Sequence, residues 1–248
     1  MNLHFENTFD SIIVCGDIHG DIMPLVFKTE QYKIQNSLVI VAGDVGIGFH
    51  KDGYYLTLFK KVEARLKKSN NIFLFIRGNH DDPDKWLDHL PFQKHWQDGN
   101  SHVRFVKDYT VVSAHTDRRA HNILCVGGAI SIDRVHRTQG INYWANEPFV
   151  YDEEKASSLE GITDIITHSC PDFCEPILKG GIQHYISVDA NLEADCDKER
   201  KDHTLLYNKV KEKNQVQRYF YGHYHFYNKT NIGETMFRLC DIMELVEI

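Results

Sequence analysis

Short apolar runs recur through the first half of the chain, and more polar segments separate them. Each run stops at a glycine followed by polar residues, which is typical of a buried strand that opens into a loop. We therefore predict three early strands, at Ser11–Cys15, Ser37–Ala42 and Ile72–Ile76.

The segment between the second and third of these strands has the spacing of a surface helix. Aromatic and aliphatic residues recur there every three or four positions, with charged residues between them. This pattern predicts a helix over Tyr54–Lys68 and a parallel crossover between the two strands. A second helix is predicted over Pro83–His89, because proline suits a first helical turn and Asp81 and Asp82 can cap it.

The second half of the chain has more strand-like runs and fewer helical ones. The predicted strands are Val103–Val106, Thr110–Ala114, Asn122–Val126, Ile162–Thr167 and Val216–Tyr221. The predicted helices are Asp152–Leu159, which begins with acidic residues, and Lys198–Lys213. The last two runs, Glu234–Cys240 and Met243–Glu247, are expected to form a hairpin or a sheet edge.

Composition favours one globular unit. The chain has 248 residues, of which 42% are hydrophobic and 25% charged, so it can form a packed core, and a single domain over residues 1–248 is expected.

The net charge of −7 disfavours a broad nucleic-acid-binding surface. The sequence has neither a secretory leader pattern nor an apolar run long enough to cross a bilayer, so we expect a cytoplasmic protein without a membrane partner. Its six cysteines are unevenly spaced, as reduced thiols usually are.

Polar clusters stand directly after the predicted strands. In a mostly parallel sheet the loops at these strand ends meet at one edge, so their side chains can converge. The potential metal donors in these clusters are Asp17, His19, Asp44, Asn79, His168, His223 and His225, with His80 as a further imidazole. Taken singly, each would be interpreted as a turn or capping residue or a buried histidine. Taken together, they are too many for one ion and suit two divalent cations such as manganese, iron, nickel or zinc.

Four glycines accompany these donors. Gly16, Gly43, Gly78 and Gly222 each precede a donor segment, where a missing side chain lets the backbone turn sharply and approach a metal.

The ordered motifs of the chain resemble those of the calcineurin-like metallophosphoesterase superfamily. They are GDIHG, GD, GNHD, a TH at a strand end, and GHYH, and they extend from Asp17 to His225 in the order usual for the superfamily. One such motif would be weak evidence, whereas five in sequence are specific.

The resemblance implies a set of roles. One metal would be held by Asp17, His19, Asp44 and His225, and the other by Asp44, Asn79, His168 and His223. Asp44 would bridge the ions, and a hydroxide between them would attack phosphorus. His80 would act near the leaving oxygen as a proton donor or an electrostatic stabiliser.

One motif departs from the pattern of the protein serine/threonine phosphatases in this superfamily. They extend the second motif to GDxVDRG, whereas this chain has GDVGIG, with Ile47 in place of the aspartate that orients the catalytic histidine. A protein phosphatase of that type is therefore disfavoured. The chain is more similar to small bacterial or phage metallophosphoesterases, whose substrates vary widely.

The segment Val126–Arg137 resembles a stretch of those small enzymes. Arg134 and Arg137 are candidates for binding the substrate phosphate, since a guanidinium matches phosphate geometry. The alternative is ordinary ion pairing at the surface. Asp133, Trp144 and Glu147 are candidates for supporting this loop.

These observations predict an α/β sandwich of two mixed sheets packed face to face, with helices outside and the metals at the carboxyl ends of the central strands.

The expected activity is dimetal-dependent hydrolysis of a phosphate ester, with manganese as the first choice of metal. Phosphodiesterase or nucleotide hydrolase activity and protein phosphatase activity remain alternatives. A noncatalytic scaffold, like the retromer subunit that resembles this family, is a rival of another class. Residues 171–214 carry no metal motif and are a candidate specificity or lid insertion.

Overall fold

The early apolar runs form strands whose side chains are buried on both faces of the sheet. The computed structural model describes residues 2–86, 101–177 and 180–248. In the strand Ser11–Cys15, Ile12 and Val14 face one apolar cluster while Ile13 and Cys15 face another. A strand buried on both faces belongs inside a layered structure rather than at its surface.

The strands form two mixed sheets. In the five-stranded sheet the order is β12 (Leu245–Glu247), β2 (Ser11–Cys15), β3 (Ser37–Val41), β4 (Ile72–Phe75) and β5 (Val103–Phe105). In the seven-stranded sheet the order is β1 (Asn2–Phe9), β6 (Thr110–Thr116), β7 (Ala120–Val126), β8 (Asp164–Thr167), β9 (Arg218–Tyr221), β11 (Thr235–Leu239) and β10 (Asn228–Ile232). Strands β2 to β5 are parallel, and so are β7, β8, β9 and β11.

The sheets pack face to face, and helices cover their outer faces. A shared core joins β2, β3 and β4 of one sheet to β6, β7, β8 and β9 of the other. Helices α1 (Ile22–Gln31) and α2 (Asp52–Ser69) cover the five-stranded sheet. Helices α3 (Glu153–Ser157) and α5 (Leu192–Lys211) cover the seven-stranded sheet, and α4 (Gln183–Val188) precedes α5. The predicted α/β sandwich is thus confirmed.

Several elements differ from the sequence prediction. Strand β1 and helices α1 and α4 were not predicted, and α5 begins at Leu192 rather than Lys198. Of the two alternatives for the last two runs, the hairpin is wrong, because β11 pairs with β9 and β10 while β12 pairs with β2 in the other sheet. The sheet edge is confirmed for β12, which is the outer strand of the five-stranded sheet. In the predicted helix Pro83–His89, residues 83–86 form turns, and residues 87–89 lie outside the described ranges.

No helix among the described residues combines the length and the apolar composition needed to cross a bilayer.

Candidate functional site

The register of the five-stranded sheet brings three donor segments to one edge. Cys15, Val41 and Phe75 are neighbours across the parallel strands β2, β3 and β4. The chain leaves each strand on the same side, so the loops that carry Asp17, Asp44 and Asn79 lie next to one another.

The seven-stranded sheet supplies the remaining donors in the same way. Ile166 of β8 pairs with Phe220 of β9 in parallel register. His168 follows the first strand, and His223 and His225 follow the second. The two sheets therefore meet through the loops at these strand ends, and all seven predicted donors lie in two contiguous clusters.

The first cluster consists of Asp17, His19, Asp44 and His225, whose ligand atoms all lie within 4.8 Å of one another. The Nε2 atoms of His19 and His225 are 2.9 Å apart. Nε2 of His225 is 3.2 Å from Oδ2 of Asp17, and Nδ1 of His19 is 3.6 Å from Oδ2 of Asp44. Two carboxylates and two imidazoles at these separations form a set that one borderline divalent cation can use.

The second cluster is centred on the Asn79 amide oxygen. It lies 3.0 Å from Nε2 of His168 and 3.0 Å from Nδ1 of His223. The same Nε2 of His168 is 3.2 Å from Oδ1 of Asp44. Asp44 therefore belongs to both clusters, with one carboxylate oxygen towards each.

Outer contacts orient these donors. The amide nitrogen of Asn79 donates to Oγ of Ser131 at 3.0 Å, which turns the amide oxygen towards the cluster. Nδ1 of His168 lies 2.7 Å from the carbonyl oxygen of Ala42, so it donates there and turns Nε2 towards the second cluster. Such second contacts fix ring orientation and tautomer in metal sites.

The two clusters together form the candidate centre, and its buried carboxylates favour the binding of a cation. Asp17 and Asp44 are each 1% exposed, and among the described residues their ion-pair partners are histidines rather than lysines or arginines. Burial would raise the pKa of Asp44, but the neighbouring His168, His80 and His19 hold it well below its usual range. Burial would likewise lower the pKa of His168, but Asp44 and Asp17 raise it to about 10. Buried carboxylates that draw positive charge so strongly fit a divalent cation site.

The backbone is strained at four of the donors. His19, Asp44, His223 and His225 have φ values of 45°, 55°, 71° and 56°. L-residues rarely adopt this left-handed region, and strain of this kind collects at functional sites.

Close backbone approach explains two of the predicted glycines. A Cβ on Gly78 would lie 2.1 Å from Oδ1 of Asp44, and a Cβ on Gly222 would lie 2.0 Å from Oδ1 of Asp17. Any side chain at either position would displace a carboxylate of the centre.

His80 stands beside the first cluster. Its backbone N–H donates to Oδ1 of Asp44 at 3.0 Å, and its ring lies edge-on to His19 with centroids 5.2 Å apart. The ring of Phe49 stacks on the ring of His80, with centroids 5.9 Å apart and an angle of 16° between the ring planes. Nε2 of His80 accepts a hydrogen bond from Arg137 at 3.0 Å, and burial together with this guanidinium lowers the pKa of His80.

The two predicted phosphate-binding arginines have different surroundings. Arg137 lines a cavity at the centre and pairs with Asp133 at 2.6 Å. Arg134 does not line this cavity, and its guanidinium pairs with Asp189 and Asp195 at 2.6 and 2.7 Å. The structure therefore brings Arg137 to the site, whereas Arg134, the first residue of the 3₁₀ turn Arg134–His136, ties this turn to the segment that carries α4 and α5.

Sequence reasoning missed one structural carboxylate and one orienting hydroxyl. Asp81 was interpreted as a helix cap, but its carboxylate accepts the backbone N–H groups of Val45, Ile47 and Gly78 and so joins two donor loops. Its place inside the GNHD motif was the available signal. Ser131 carries no such signal, although Glu147, predicted to support this loop, accepts the Ser131 N–H at 2.6 Å.

The model of the calcineurin-like phosphoesterase family matches residues 11–227. No curated protein matches the chain.

Solved structures with a similar fold cover nearly all of the chain at low identity. A Staphylococcus aureus protein assigned as a 5'-nucleotidase is 14% identical with a TM-score of 0.48, over 94% of this chain and 48% of that one. The anchor GAP50 of the Plasmodium inner membrane complex is 13% identical with a TM-score of 0.49, over 93% and 70%. A phosphopantetheinyl hydrolase from Mycobacterium tuberculosis is 13% identical with a TM-score of 0.46, over 96% of each chain. The chain thus spans about half the length of the first of these proteins.

Proposed function

Since the chain belongs to the calcineurin-like phosphoesterase family, and is thus a phosphoric ester hydrolase, we propose that it cleaves its substrate at the two donor clusters that share Asp44. One observation carries this proposal. Oδ2 of Asp44 faces His19, while Oδ1 faces His168, so a single carboxylate reaches both clusters. A shared carboxylate is the arrangement that two-metal hydrolases need.

Two divalent cations, when bound, would supply Lewis-acid stabilisation of the phosphoryl oxygens and lower the pKa of a water molecule. The nitrogen and oxygen donors suit manganese first, with iron, nickel and zinc as alternatives. The first cluster, Asp17, His19, Asp44 and His225, would hold one ion. The second, Asp44, Asn79, His168 and His223, would hold the other.

His80 and Arg137 would serve the substrate itself. Both line the cavity that opens at Asp44, and their side chains are hydrogen bonded to each other. We assign His80 to the leaving oxygen, where an imidazole can donate a proton or stabilise negative charge. Arg137 would bind a phosphoryl oxygen and keep the His80 ring in place.

The test is hydrolysis by chelated protein reconstituted with Mn²⁺, Fe²⁺, Ni²⁺ or Zn²⁺. Release of nitrophenolate from 4-nitrophenyl phosphate and bis(4-nitrophenyl) phosphate is measured beside the metal content. His80→Ala is expected to lower kcat about 100-fold or more, because the loss of a general acid or base has that size. His4→Ala, in the exposed part of β1, is the matched control and should retain activity.

Bound metal without turnover of either ester would contradict the proposal. That result would favour the noncatalytic scaffold, which keeps the fold for contacts with other proteins.

A further inference from the structure

Two cavities adjoin the proposed centre. The larger has a volume of about 610 Å³ and extends from the centre to α4 and α5. The smaller has a volume of about 290 Å³ and lies between the loop after β3 and the beginning of α2. Their linings share His19 and His80 and otherwise differ. A phosphate held at these two histidines would have room for a substituent in each direction.

The larger cavity is poorly suited to a second phosphate group. Its described lining contains Arg137 and Arg200 but no lysine. Arg137 is already assigned to the phosphoryl group at the centre, and the terminal nitrogens of Arg200 donate to the carbonyl oxygens of Pro176 and Cys174.

The acidic side chains of the larger cavity point to the same conclusion. Asp133 and Asp197 lie in the lining together with apolar Ile130, Ile132 and Ile182. Phosphate groups are bound by clustered arginine and lysine, so a polyphosphate or a dianionic ester head would meet repulsion beyond the metal centre. A substrate with one negative charge and an uncharged substituent fits this lining better.

The smaller cavity is lined largely by aromatic side chains. Phe49, His50, Tyr54 and Leu58 line it, and its described lining contains no lysine, arginine, aspartate or glutamate. Tyr54 is 47% exposed and packs on His50 with ring centroids 4.2 Å apart. An exposed aromatic wall next to a phosphate site is suited to a planar or apolar substituent.

We propose that the substrate is a phosphodiester with one uncharged substituent in each cavity. This inference rests on the proposed function and names the substrate class of that site. Water adds its oxygen to phosphorus, one P–O bond to a substituent breaks, and the leaving oxygen takes a proton. The products are a phosphate monoester and an alcohol. A monoester would leave one of the two cavities empty.

The test compares three esters that release the same nitrophenolate, with the Mn²⁺-loaded enzyme. They are 4-nitrophenyl phosphate, methyl 4-nitrophenyl phosphate and bis(4-nitrophenyl) phosphate. We expect kcat/KM for the bis ester to exceed that for the monoester by about tenfold or more, since filling an apolar pocket has an effect of this size. Tyr54→Ala should lower kcat/KM for the bis ester about tenfold and leave the methyl ester within about twofold.

Two further variants complete the design. Leu58→Trp should fill the smaller cavity. Like Tyr54→Ala, it should lower kcat/KM for the bis ester more than for the methyl ester. Tyr32→Ala removes a tyrosine that is 61% exposed and lines neither cavity, so it should change none of the three rates.

The outcomes separate the inference from the proposed function. If the enzyme prefers the monoester, or if Tyr54→Ala lowers all three rates alike, the diester inference is wrong while phosphate ester hydrolysis stands. If none of the esters is hydrolysed by metal-loaded protein, the proposed function fails, and the inference fails with it.

Discussion

At the residue scale, Asp44 is the side chain that the two donor clusters share. Its two oxygens face different donor clusters, and Oδ1 also accepts the backbone N–H of His80. Arg137, in contrast, touches His80 and Asp133 but none of the seven donors by hydrogen bond or ion pair among the described residues. Substitutions at these two positions should therefore differ in kind as well as in size.

We expect Asp44→Asn to lower kcat/KM by more than about 100-fold, because it weakens both cation sites at once. Arg137→Ala should lower it about tenfold, because one charge-assisted contact to phosphate is lost. Hydrolysis of bis(4-nitrophenyl) phosphate and elemental analysis of each variant provide the measurement. Asp202→Asn, which alters a carboxylate paired with Lys198 on α5, is the charge control. Equal losses for Asp44→Asn and Arg137→Ala would mean that Asp44 does not bridge.

Ser131 is predicted to act through the orientation of Asn79. Ser131→Ala removes the acceptor of the Asn79 amide nitrogen, so the amide can rotate away from the second cluster. The expected result is a loss of metal affinity of about 10–100-fold, with kcat at saturating Mn²⁺ largely retained. Activity measured against Mn²⁺ concentration tests this. Ser113→Ala is the matched control, since Ser113 donates to Asn122 in a similar pair on β6 and β7. Loss of kcat with unchanged metal affinity would argue against an orienting role.

At the element scale, α5 carries two buried titratable side chains with opposite pKa shifts. His203 is fully buried, and its ring stacks on Phe149 at 4.1 Å. Burial, together with nearby Arg200, lowers the pKa of His203 to about 3. Burial raises the pKa of Glu199 to about 7. The helix therefore prefers both side chains in their neutral forms.

The lowered pKa of His203 determines how the free energy of unfolding changes with pH. Between about pH 3 and the usual histidine value of about 6.5, the unfolded chain binds the proton and the folded protein does not. Stability is thus lost as the pH falls below about 6.5. On going from pH 7 to pH 5, His203→Phe should lose about 2 kcal/mol less free energy of unfolding than the parent. Urea unfolding at the two pH values is the measurement.

Glu199→Gln tests a pH dependence of stability in the opposite direction. The folded protein holds a proton on Glu199 up to about pH 7, so the contribution of this group to stability is present at low pH and lost as the pH rises. The variant lacks the gain on acidification and should lose more stability than the parent between pH 7 and pH 5. Parallel pH profiles for all three proteins would contradict the assignment of both shifts.

At the scale of the whole molecule, the candidate centre joins the two sheets. Asp17, Asp44 and Asn79 follow strands of the five-stranded sheet, and His168 and His223 follow strands of the seven-stranded one. A ligand held by both sheets binds the folded state and not the unfolded chain. Binding should therefore stabilise the fold as a whole.

Adding Mn²⁺ to chelated protein at about 100 times its Kd should raise the free energy of unfolding by about 2.7 kcal/mol. For a chain of this length the corresponding rise in Tm is about 5–10 °C. Thermal unfolding with and without the metal tests this, with Asp44→Asn expected to lose most of the rise and Asp202→Asn to keep it. An unchanged Tm in the parent at saturating metal would contradict a centre shared by the sheets.

The local sequence pattern was sufficient to predict those elements whose apolar residues form a short run or recur at helical spacing. The runs that became β2, β3 and β4, and the helical spacing that became α2, carry their periodicity in the sequence itself, and so do the motifs that hold the seven donors. Because a parallel strand delivers its following loop to one sheet edge, even the convergence of the donors could be predicted. Helix α1 was missed because its apolar residues form one run, Ile22–Phe27, that contains Pro24 and lacks helical spacing, and β1 because it is an edge strand with few buried side chains.

Contacts between distant segments were decided by the tertiary structure alone. No local pattern predicts that Ser131 orients Asn79, that Asp81 joins two loops, or that Arg137 meets His80 while Arg134 pairs with Asp189. Such contacts depend on the direction of a side chain in a packed loop, which is set by the surrounding chain. The sequence thus determined the early strands, helix α2 and the motifs that carry the candidate donors, because these follow from short-range periodicity and spacing. The two cavities, on which the proposed substrate class rests, arise only when α2, α4 and α5 pack around the strand ends.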